Sequence, residues 1–293
     1  MSAPGRPKRE YRSAQHEGSP INGGMLFFRA SAGAIRIAAI GVFLFLTLPI
    51  LAIVPLSFTA GVELVYPLPG YSLRWYQDFF TRPEWLGSIK NSLFIGVCAT
   101  VIATTLGTLA AFGLEGVPAR SRKALLVLMA LPMAVPVVIE AVAFFFYARL
   151  GLAGSAVAMI AAHALMGIPF VVISVRSSLA GLSPDFARAA ASLGARPYRV
   201  FLRTLAPLVF PGIATGALFA FAVSMDDVVV AMFLSGPETI TLPRQMFNGV
   251  RENISPTILA AASMLVMLSM LLMMATNTLA ARSRRLARPA ETE

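Results

Sequence analysis

The sequence lacks most of the groups that enzymes use for chemistry. It has one cysteine, Cys98, and only two histidines, His16 and His163, in 293 residues. A single cysteine forms no intrachain disulfide, and two such distant histidines do not have the spacing of a metal site. The G-x-x-x-x-G-K-[ST] pattern of a nucleotide-binding loop and the nucleophile elbow of a hydrolase are both missing. We therefore expect a chain that is not an enzyme and that binds no cofactor itself.

Charged side chains are also scarce. They make up 13% of the sequence, whereas 57% of the residues are hydrophobic. A soluble domain averages roughly 45–50% apolar and about 25% charged residues. The composition therefore predicts an integral membrane protein. The net charge of +10 falls in short segments between apolar stretches, which favours a membrane surface over nucleic acid as the partner.

Six apolar stretches are long enough to cross a bilayer as helices. They cover approximately residues 35–57, 91–114, 124–148, 154–176, 208–234 and 257–280. The first is longer than the apolar part of a signal peptide, so we expect it to be retained. The sequence thus predicts an all-α membrane protein with six transmembrane helices.

The distribution of Lys and Arg predicts the orientation of these helices. Of the 24 basic residues, 18 lie in the N-terminal segment, two alternate loops and the C-terminal tail. The positive-inside rule then puts both termini in the cytoplasm. We divide the chain into a disordered basic N-terminus (1–30), a six-span domain (31–281) with a cytoplasmic loop at 177–207, and a cytoplasmic tail (282–293).

Two adjacent carboxylates interrupt the fifth span. Asp226 and Asp227 lie within FAVSMDDVVVAMF, residues 221–233. One ionised Asp at the centre of a membrane helix costs about 2.5–3.5 kcal/mol, so the pair needs a function. Neighbours on a helix point about 100° apart, and we expect one Asp to line a path and the other to hold a neighbouring element. Which does which stays open, as does a purely structural role such as capping a broken helix.

Other polar groups fall at a similar depth. Glu140 and Asp226 lie roughly 12 Å from the outer ends of their spans, and His163 lies roughly 14 Å from the same side. Tyr147 and the phenylalanines before it can add cation–π contacts. We predict a path for a cationic solute along Asp226, Asp227, Glu140, His163 and Tyr147. Structural hydrogen bonding and core packing remain the alternatives for each.

The longest cytoplasmic loop predicts a short helix, a sharp turn and a second helix. Ser183-Pro184-Asp185 is typical of a helix start. An Ala-rich helix from Phe186 to Leu193 follows, and Gly194 is placed to end it. A second, basic amphipathic stretch covers residues 197–205. Small side chains let another protein approach the backbone closely, so this loop is a candidate docking element.

Motifs in this loop and in the fifth span resemble those of one known family. Ala189-Ala190, Gly194 and Pro207 are spaced as in the EAA loop of bacterial ABC-importer permeases. SMDD (224–227), SGPETITLPRQMF (235–247) and VRENISPTILA (250–260) resemble the spermidine/putrescine-type subfamily. The resemblance runs over nearly the whole chain. It implies the fold of a type I ABC importer permease, located in the bacterial inner membrane.

The resemblance also implies partners and a function. A second permease, two cytoplasmic ATPase subunits and a periplasmic binding protein would complete the transporter, with ATP and Mg²⁺ bound by the ATPases. The solute would be a small cation, most simply a polyamine such as spermidine or putrescine. Another small organic cation, an opine or an amino-acid-like solute is the alternative. The ATPase-coupling residues would be Asp185, Ala187, Arg188, Ala189, Ala190, Gly194 and Ala195.

Two positions depart from the motif of the coupling loop. Arg188 stands where the family has Glu, which changes the charge of the docking face. Ala206 replaces the Leu of the closing Leu-Pro. Asp185 lies one helical turn before Arg188 and is a candidate for the missing acid.

Two other classes use intramembrane carboxylates. An ion-coupled transporter would use the Asp pair as a proton relay, but such folds usually show internal repeats, and we find none. An intramembrane aspartyl protease needs two facing carboxylates from separate elements. Asp226 and Asp227 are neighbours that diverge, which disfavours this chemistry.

Overall fold

The computed structural model describes residues 21–183, 185–252 and 254–286, and these residues are mostly helical. The helices are α1 (Ile21–Leu56), α2 (Arg74–Thr81), α3 (Pro83–Gly113), α4 (Ala119–Ala134), α5 (Val137–Ala148), α6 (Ala156–Ala180), α7 (Asp185–Ser192), α8 (Pro197–Val200), α9 (Ala206–Asp226), α10 (Val229–Leu234), α11 (Leu242–Glu252) and α12 (Pro256–Leu286). A π-helical turn, Phe201–Leu205, joins α8 to α9. Two isolated β-bridges are the extended pairings in this part of the chain.

The chain divides into two compact units, residues 1–52 and 53–293. In the first unit, α1 begins at Ile21, so the last ten residues of the segment predicted to be disordered are helical. Residues 1–20 of that segment lie outside the described residues, as do residues 287–293 of the predicted tail. The helix is apolar enough over Ile35–Leu56 to cross a membrane, as we predicted for the first span.

The six predicted spans correspond to five single helices and one bent pair. The single helices are Ile35–Leu56, Pro83–Gly116, Ala156–Ala180, Tyr198–Asp226 and Pro256–Leu279. The pair consists of α4 and α5, which meet at 97°. The predicted all-α membrane fold is therefore confirmed, but the prediction of a continuous third helix over 124–148 was wrong. The cytoplasmic location of the termini stays a prediction.

Proline causes the break in the third span. Pro136 has no N–H to donate, and its ring disfavours the helical conformation of the preceding residue. Val135 is accordingly extended, with φ −78° and ψ 135°. The helix resumes at Val137 with Pro136 as its N-terminal cap. This local rule outweighs the apolar periodicity from which a continuous helix was predicted.

Helices α3, α6 and α9 form the centre of the second unit. Small residues let their backbones meet closely, as is common for helices in membranes. A Cβ atom added at Gly107 would lie 2.7 Å from Cβ of Val171, and one at Gly216 would lie 2.8 Å from Cα of Val171. Gly167 meets Ala220 in the same way, at 2.9 Å. This tight packing fixes α6 and α9, the two helices that carry the site described below.

A second core cluster holds the short helices in place. Its buried members are Ile95, Ala141, Ala148, Ala158, Met159, Ala162, Val230, Ala231 and Leu234. They come from α3, α5, α6 and α10. Because α5 and α10 each follow a break, this packing is what aligns two separate half-helices with the continuous α6.

The loop between the fourth and fifth spans folds as predicted around Gly194. The helix α7 ends at Ser192, and Gly194 has φ +79°. The N–H of Gly194 donates to the carbonyl of Ala191 at 2.9 Å, and the N–H of Ala195 donates to that of Ala190 at 3.2 Å. These two bonds form a Schellman motif, in which a left-handed residue closes the helix. The prediction that Gly194 ends the helix is confirmed.

Replacing Gly194 tests this turn. A Cβ in the left-handed conformation costs about 1–2 kcal/mol, whereas Asn adopts it more readily. We expect Gly194→Ala to speed hydrogen exchange of the α7 amides about fivefold or more, and Gly194→Asn to have a smaller effect. Hydrogen–deuterium exchange with mass spectrometry measures this. Gly116→Ala is the control, because Gly116 has no positive φ and open space around it; equal effects of the two Ala variants would contradict the assignment.

Candidate functional site

The candidate site lies where the fifth span breaks. Asp226 is the last residue of α9, and Asp227 is extended, with φ −74° and ψ 119°. The helix α10 begins two residues later, at Val229. Our prediction of one continuous helix over 208–234 was therefore wrong. The two carboxylates diverge because the backbone leaves the helix between them, and not merely because helical neighbours point apart.

The carboxylate of Asp227 caps α10. Its Oδ1 accepts a hydrogen bond from the N–H of Val230 at 3.2 Å, and its Oδ2 accepts one from the N–H of Ala231 at 2.9 Å. The first N–H groups of a helix have no intrahelical partner, and Asp is among the residues that satisfy them best. The negative charge also lies at the positive end of the helix dipole. The break is thus stabilised by the residue that causes it.

His163 joins this cap to α6. Its Nε2 lies 3.3 Å from Oδ2 of Asp227, and its Nδ1 lies 2.7 Å from Oγ of Ser224. All three side chains are buried. A carboxylate without a proton only accepts hydrogen bonds, so the tautomer with N–H at Nε2 is the one that donates a hydrogen bond to Asp227. This network satisfies a buried carboxylate and fixes α6 against the end of α9.

Asp226 has a different environment from its neighbour. Its side chain is exposed. Within the part of the chain that the structure describes, it makes no hydrogen bond or ion pair. An unpaired carboxylate beside a break in an apolar span is available to a cation from outside the chain. The sequence predicted different roles for the two carboxylates but not which residue has which role. In the structure Asp227 is held by contacts within the fold, and Asp226 is not.

Glu140 lies next to the other break, one turn into α5. It is half-buried and lines a cavity of about 230 Å³. The rest of the lining is apolar and includes Met133, Val137, Met166 and Phe170. A single carboxylate in an apolar cavity favours a cationic group, because nothing else in the lining balances its charge.

The aromatic residues of α5 divide between packing and exposure. Phe144 and Phe145 pack against the second core cluster, and the ring of Phe145 meets that of Phe233 at 6.5 Å. Phe146 and Tyr147 are about two-thirds exposed. Tyr147 is not among the residues that line the cavity of Glu140. The structure therefore does not bring Tyr147 together with the predicted carboxylates.

Sequence reasoning missed Arg244. Its Nη1 donates to the carbonyl of Ala231 at 3.4 Å and to the carbonyl and hydroxyl oxygens of Ser235. Burial lowers the pKa of this guanidinium, but a guanidinium remains charged near neutral pH. Its partners are Ala231 on α10 and Ser235 just after that helix, 13 and 9 residues earlier in the chain. No local pattern in the sequence pairs them with Arg244.

The predicted coupling residues lie on and just after α7. Arg188 and Asp185 form an ion pair of 3.5 Å with side chains 79% and 80% exposed, which contributes little at such exposure. Ala189 and Ala190 line a cavity of about 520 Å³ together with Phe186, Leu193 and Thr204. The side chain of Ala187 lies outside the described residues. The loop thus presents an apolar groove beside Arg188, whose charge is balanced by Asp185 on the same helix.

Comparison with known sequences identifies related proteins. The family described as "Binding-protein-dependent transport system inner membrane component" matches residues 103–285. The chain is 28% identical to the spermidine/putrescine transport system permease protein PotC of Escherichia coli K12, over 82% of this chain and 90% of PotC. It is 32% identical to the putrescine transport system permease protein PotI of the same strain, over 76% of this chain and 82% of PotI.

Solved structures share the fold. A bacterial ABC transporter involved in the import of the acidic polysaccharide alginate matches with a TM-score of 0.65 and 20% identity, over 85% of this chain and 96% of that chain. The MetNI methionine ABC transporter matches with a TM-score of 0.52 and 17% identity, over 73% and 98%. The predicted permease fold is confirmed by these likenesses.

Substituting the two carboxylates separately tests their division. In Asp227→Asn the amide nitrogen replaces one of two accepting oxygens, so we expect a loss of about 1–2 kcal/mol and a lower thermal unfolding midpoint. Asp226→Asn removes no hydrogen bond or ion pair to the described residues and should stay within about 0.5 kcal/mol of the parent. Thermal unfolding of the purified protein in detergent compares them. Equal destabilisation would contradict the assignment.

Proposed function

Because the chain belongs to the family of binding-protein-dependent transport system inner membrane components, we propose that it forms part of the import path for a polyamine. Like its relatives, it is a permease subunit of an ABC importer and not an enzyme. It is a multi-pass protein of the inner membrane and works with a binding protein and ATPase subunits. In the complete transporter, this chain pairs with a second permease and with two ATPase subunits, which bind ATP and Mg²⁺.

The exposed, unpaired carboxylate of Asp226 is the observation that carries the proposal. A cation that leaves water for an apolar constriction loses its hydration, and a fixed carboxylate compensates for that loss. Asp227 cannot serve equally, because its oxygens already accept from two backbone N–H groups and from His163. Asp226 therefore contacts the solute, while Asp227 and His163 hold the break in shape.

A polyamine fits the distribution of charge and apolar surface. It carries ammonium groups separated by methylene segments. Asp226 and Glu140 each offer one carboxylate, and the cavity beside Glu140 has apolar walls. The names of PotC and PotI give spermidine and putrescine as the first solutes to test. Tyr147, which is exposed near the outer end of α5, contributes a ring for cation–π contact on entry.

Asp226 is the sharpest position at which to test the transport role. In the complete transporter we expect Asp226→Asn to lower the uptake of labelled spermidine or putrescine about tenfold or more, because the solute loses one charge-assisted contact. Glu140→Gln should act in the same direction. Asp78→Asn is the matched control, since Asp78 on α2 pairs with Arg82, which directly follows that helix. Uptake assays in vesicles at varied solute concentration give both the maximal rate and the KM.

The outcomes separate the path from the solute. Normal uptake by both Asp226→Asn and Glu140→Gln would remove these carboxylates from the path. If the parent transporter takes up an opine or an amino-acid-like cation and no polyamine, the solute assignment is wrong but the path is still testable with that solute.

The second half of the proposal concerns energy coupling. We expect α7 to dock on an ATPase subunit through the apolar groove at Ala189 and Ala190. Phe186 and Leu193 border this groove and are 48% and 88% exposed. Exposed apolar side chains of this size beside small alanines are typical of a contact surface. Arg188 is balanced by Asp185, so its departure from the motif leaves the docking face without excess charge.

A bulky side chain tests the groove. Ala189→Trp places an indole in it, and we expect the amount of ATPase subunit that co-purifies with the complex to fall at least fivefold (about 1 kcal/mol). Ala191→Trp is the control, because Ala191 is exposed on α7 but does not line the groove. Co-purification from membranes, normalised to the permease, measures the difference. Equal losses for the two variants would mean that α7 tolerates no indole anywhere, and the docking assignment would fail.

A further inference from the structure

The short helix α10 is held at both ends by charged side chains. It has six residues. Asp227 accepts from its first N–H groups, and Arg244 donates to the carbonyl of Ala231 and to Ser235, which follows the helix. Negative charge lies at the positive end and positive charge at the negative end, the arrangement that the helix dipole favours. A helix of this length has little stability of its own, so its position depends on these two contacts and on core packing.

Arg244 comes from a different element from the rest of this site. It lies in the first turn of α11, the amphipathic helix that we place on the external side. This helix is anchored separately to the start of the second span. The N–H of Leu242 donates to Oγ of Ser92 at 2.7 Å, and the amide of Asn91 donates to the carbonyl of Ile240 at 3.0 Å. Arg244 is thus the side chain that links an external helix to α10.

The loop between α10 and α11 has contacts that do not need Arg244. Ser235 forms a parallel bridge with Gly154. The hydroxyl of Thr239 donates to the carbonyl of Gly154 at 3.0 Å. The close approach of Gly236 to Gly154 leaves no room for a side chain, since a Cβ would lie 2.9 Å from the carbonyl oxygen. Removing Arg244 therefore leaves these contacts of the loop in place and removes only the hydrogen bonds that join α11 to Ala231 and Ser235.

We propose that Arg244 is a positioning residue that transmits movement of the external helix α11, through α10, to the break at Asp226 and Asp227. The inference rests on the proposed import function, because a binding protein that docks outside the membrane would act on α11. One side of α11 is open to such a partner, with Val250 51% exposed and Phe247 38% exposed. At its other end α10 meets Asp227, whose position sets that of Asp226.

The geometry at Arg244 predicts which substitution rescues the link. All three hydrogen bonds leave from one atom, Nη1. Because Nη1 carries two hydrogens, one of them is shared between two of these acceptors. A lysine ammonium has three N–H donors on one nitrogen and keeps the charge, so Arg244→Lys can replace the contacts. Arg244→Gln has similar bulk near the backbone but neither the charge nor the reach. A role that needed the planar guanidinium would not be rescued by Lys.

The experiment uses the complete transporter in proteoliposomes with the solute-loaded binding protein. We expect Arg244→Gln to keep assembly, basal ATP hydrolysis and the half-saturating concentration of binding protein. The maximal stimulation of hydrolysis should fall about tenfold, the scale of one lost charged hydrogen bond. Arg244→Lys should stay within about twofold of the parent on the same reasoning. Arg251→Gln on the same helix is the control, because Arg251 is exposed, and it should match the parent.

Each other outcome overturns the inference. Normal stimulation of ATP hydrolysis in Arg244→Gln would show that the contact between Arg244 and α10 transmits no movement. A weaker affinity for the binding protein with an unchanged maximal rate would assign Arg244 to docking. Failure of Arg244→Gln to assemble, with normal Arg244→Lys, would assign it to folding. If the parent transporter itself shows no stimulation by loaded binding protein, the proposed function fails first, whatever the variants do.

Discussion

The structure of the site depends on the need to satisfy one buried carboxylate. Asp227 lies in an apolar environment, where an ionised group without partners is strongly unfavourable. It has three donors: the N–H groups of Val230 and Ala231 and the ring of His163. These two N–H groups lack a partner within a helix, and can therefore donate to Asp227, only because α9 stops and α10 starts again. The break in the helix and the charge that it contains therefore stabilise each other, and neither is explained without the other.

The two broken spans reach similar shapes by different chemistry. At Pro136 the helix breaks because a donor is missing and a ring blocks the preceding turn. At Asp227 every backbone donor is present, and a side chain competes for those of the next turn. Irregular backbone at membrane depth persists only where protein buries it or where it borders a water-filled cavity. Glu140, next to the first break, lines a cavity of about 230 Å³, so this irregular backbone lies beside an opening in the packing.

Composition and local rules predict much of this fold. The apolar stretches predicted all six spans, and Gly194 predicted the end of α7. Each of these features depends only on neighbouring residues, within one helical turn or one apolar stretch. The breaks were missed for two reasons. Pro136 is a local signal for a helix break, but the prediction gave more weight to the apolar periodicity around it. The role of Asp227 depends on His163, 64 residues earlier in the chain, and on Ser224, and no pattern in one sequence pairs them. The contact between Arg244 and Ala231 spans 13 residues and also lies beyond the reach of a local pattern.

The two adjacent carboxylates have different environments, and this difference has a consequence for the proposed transport. If a solute cation had to bind Asp227, each passage would remove the cap from α10 and expose its N–H groups in an apolar environment. Because Asp226 has no partner within the described residues, a cation can bind and leave it while all hydrogen bonds of Asp227 persist. In the proposed path the solute would exchange at one carboxylate, while the neighbouring one keeps the break intact. If both carboxylates lay on one continuous helix and bound the solute in turn, neither would keep its hydrogen bonds throughout, since both would change partners with each solute.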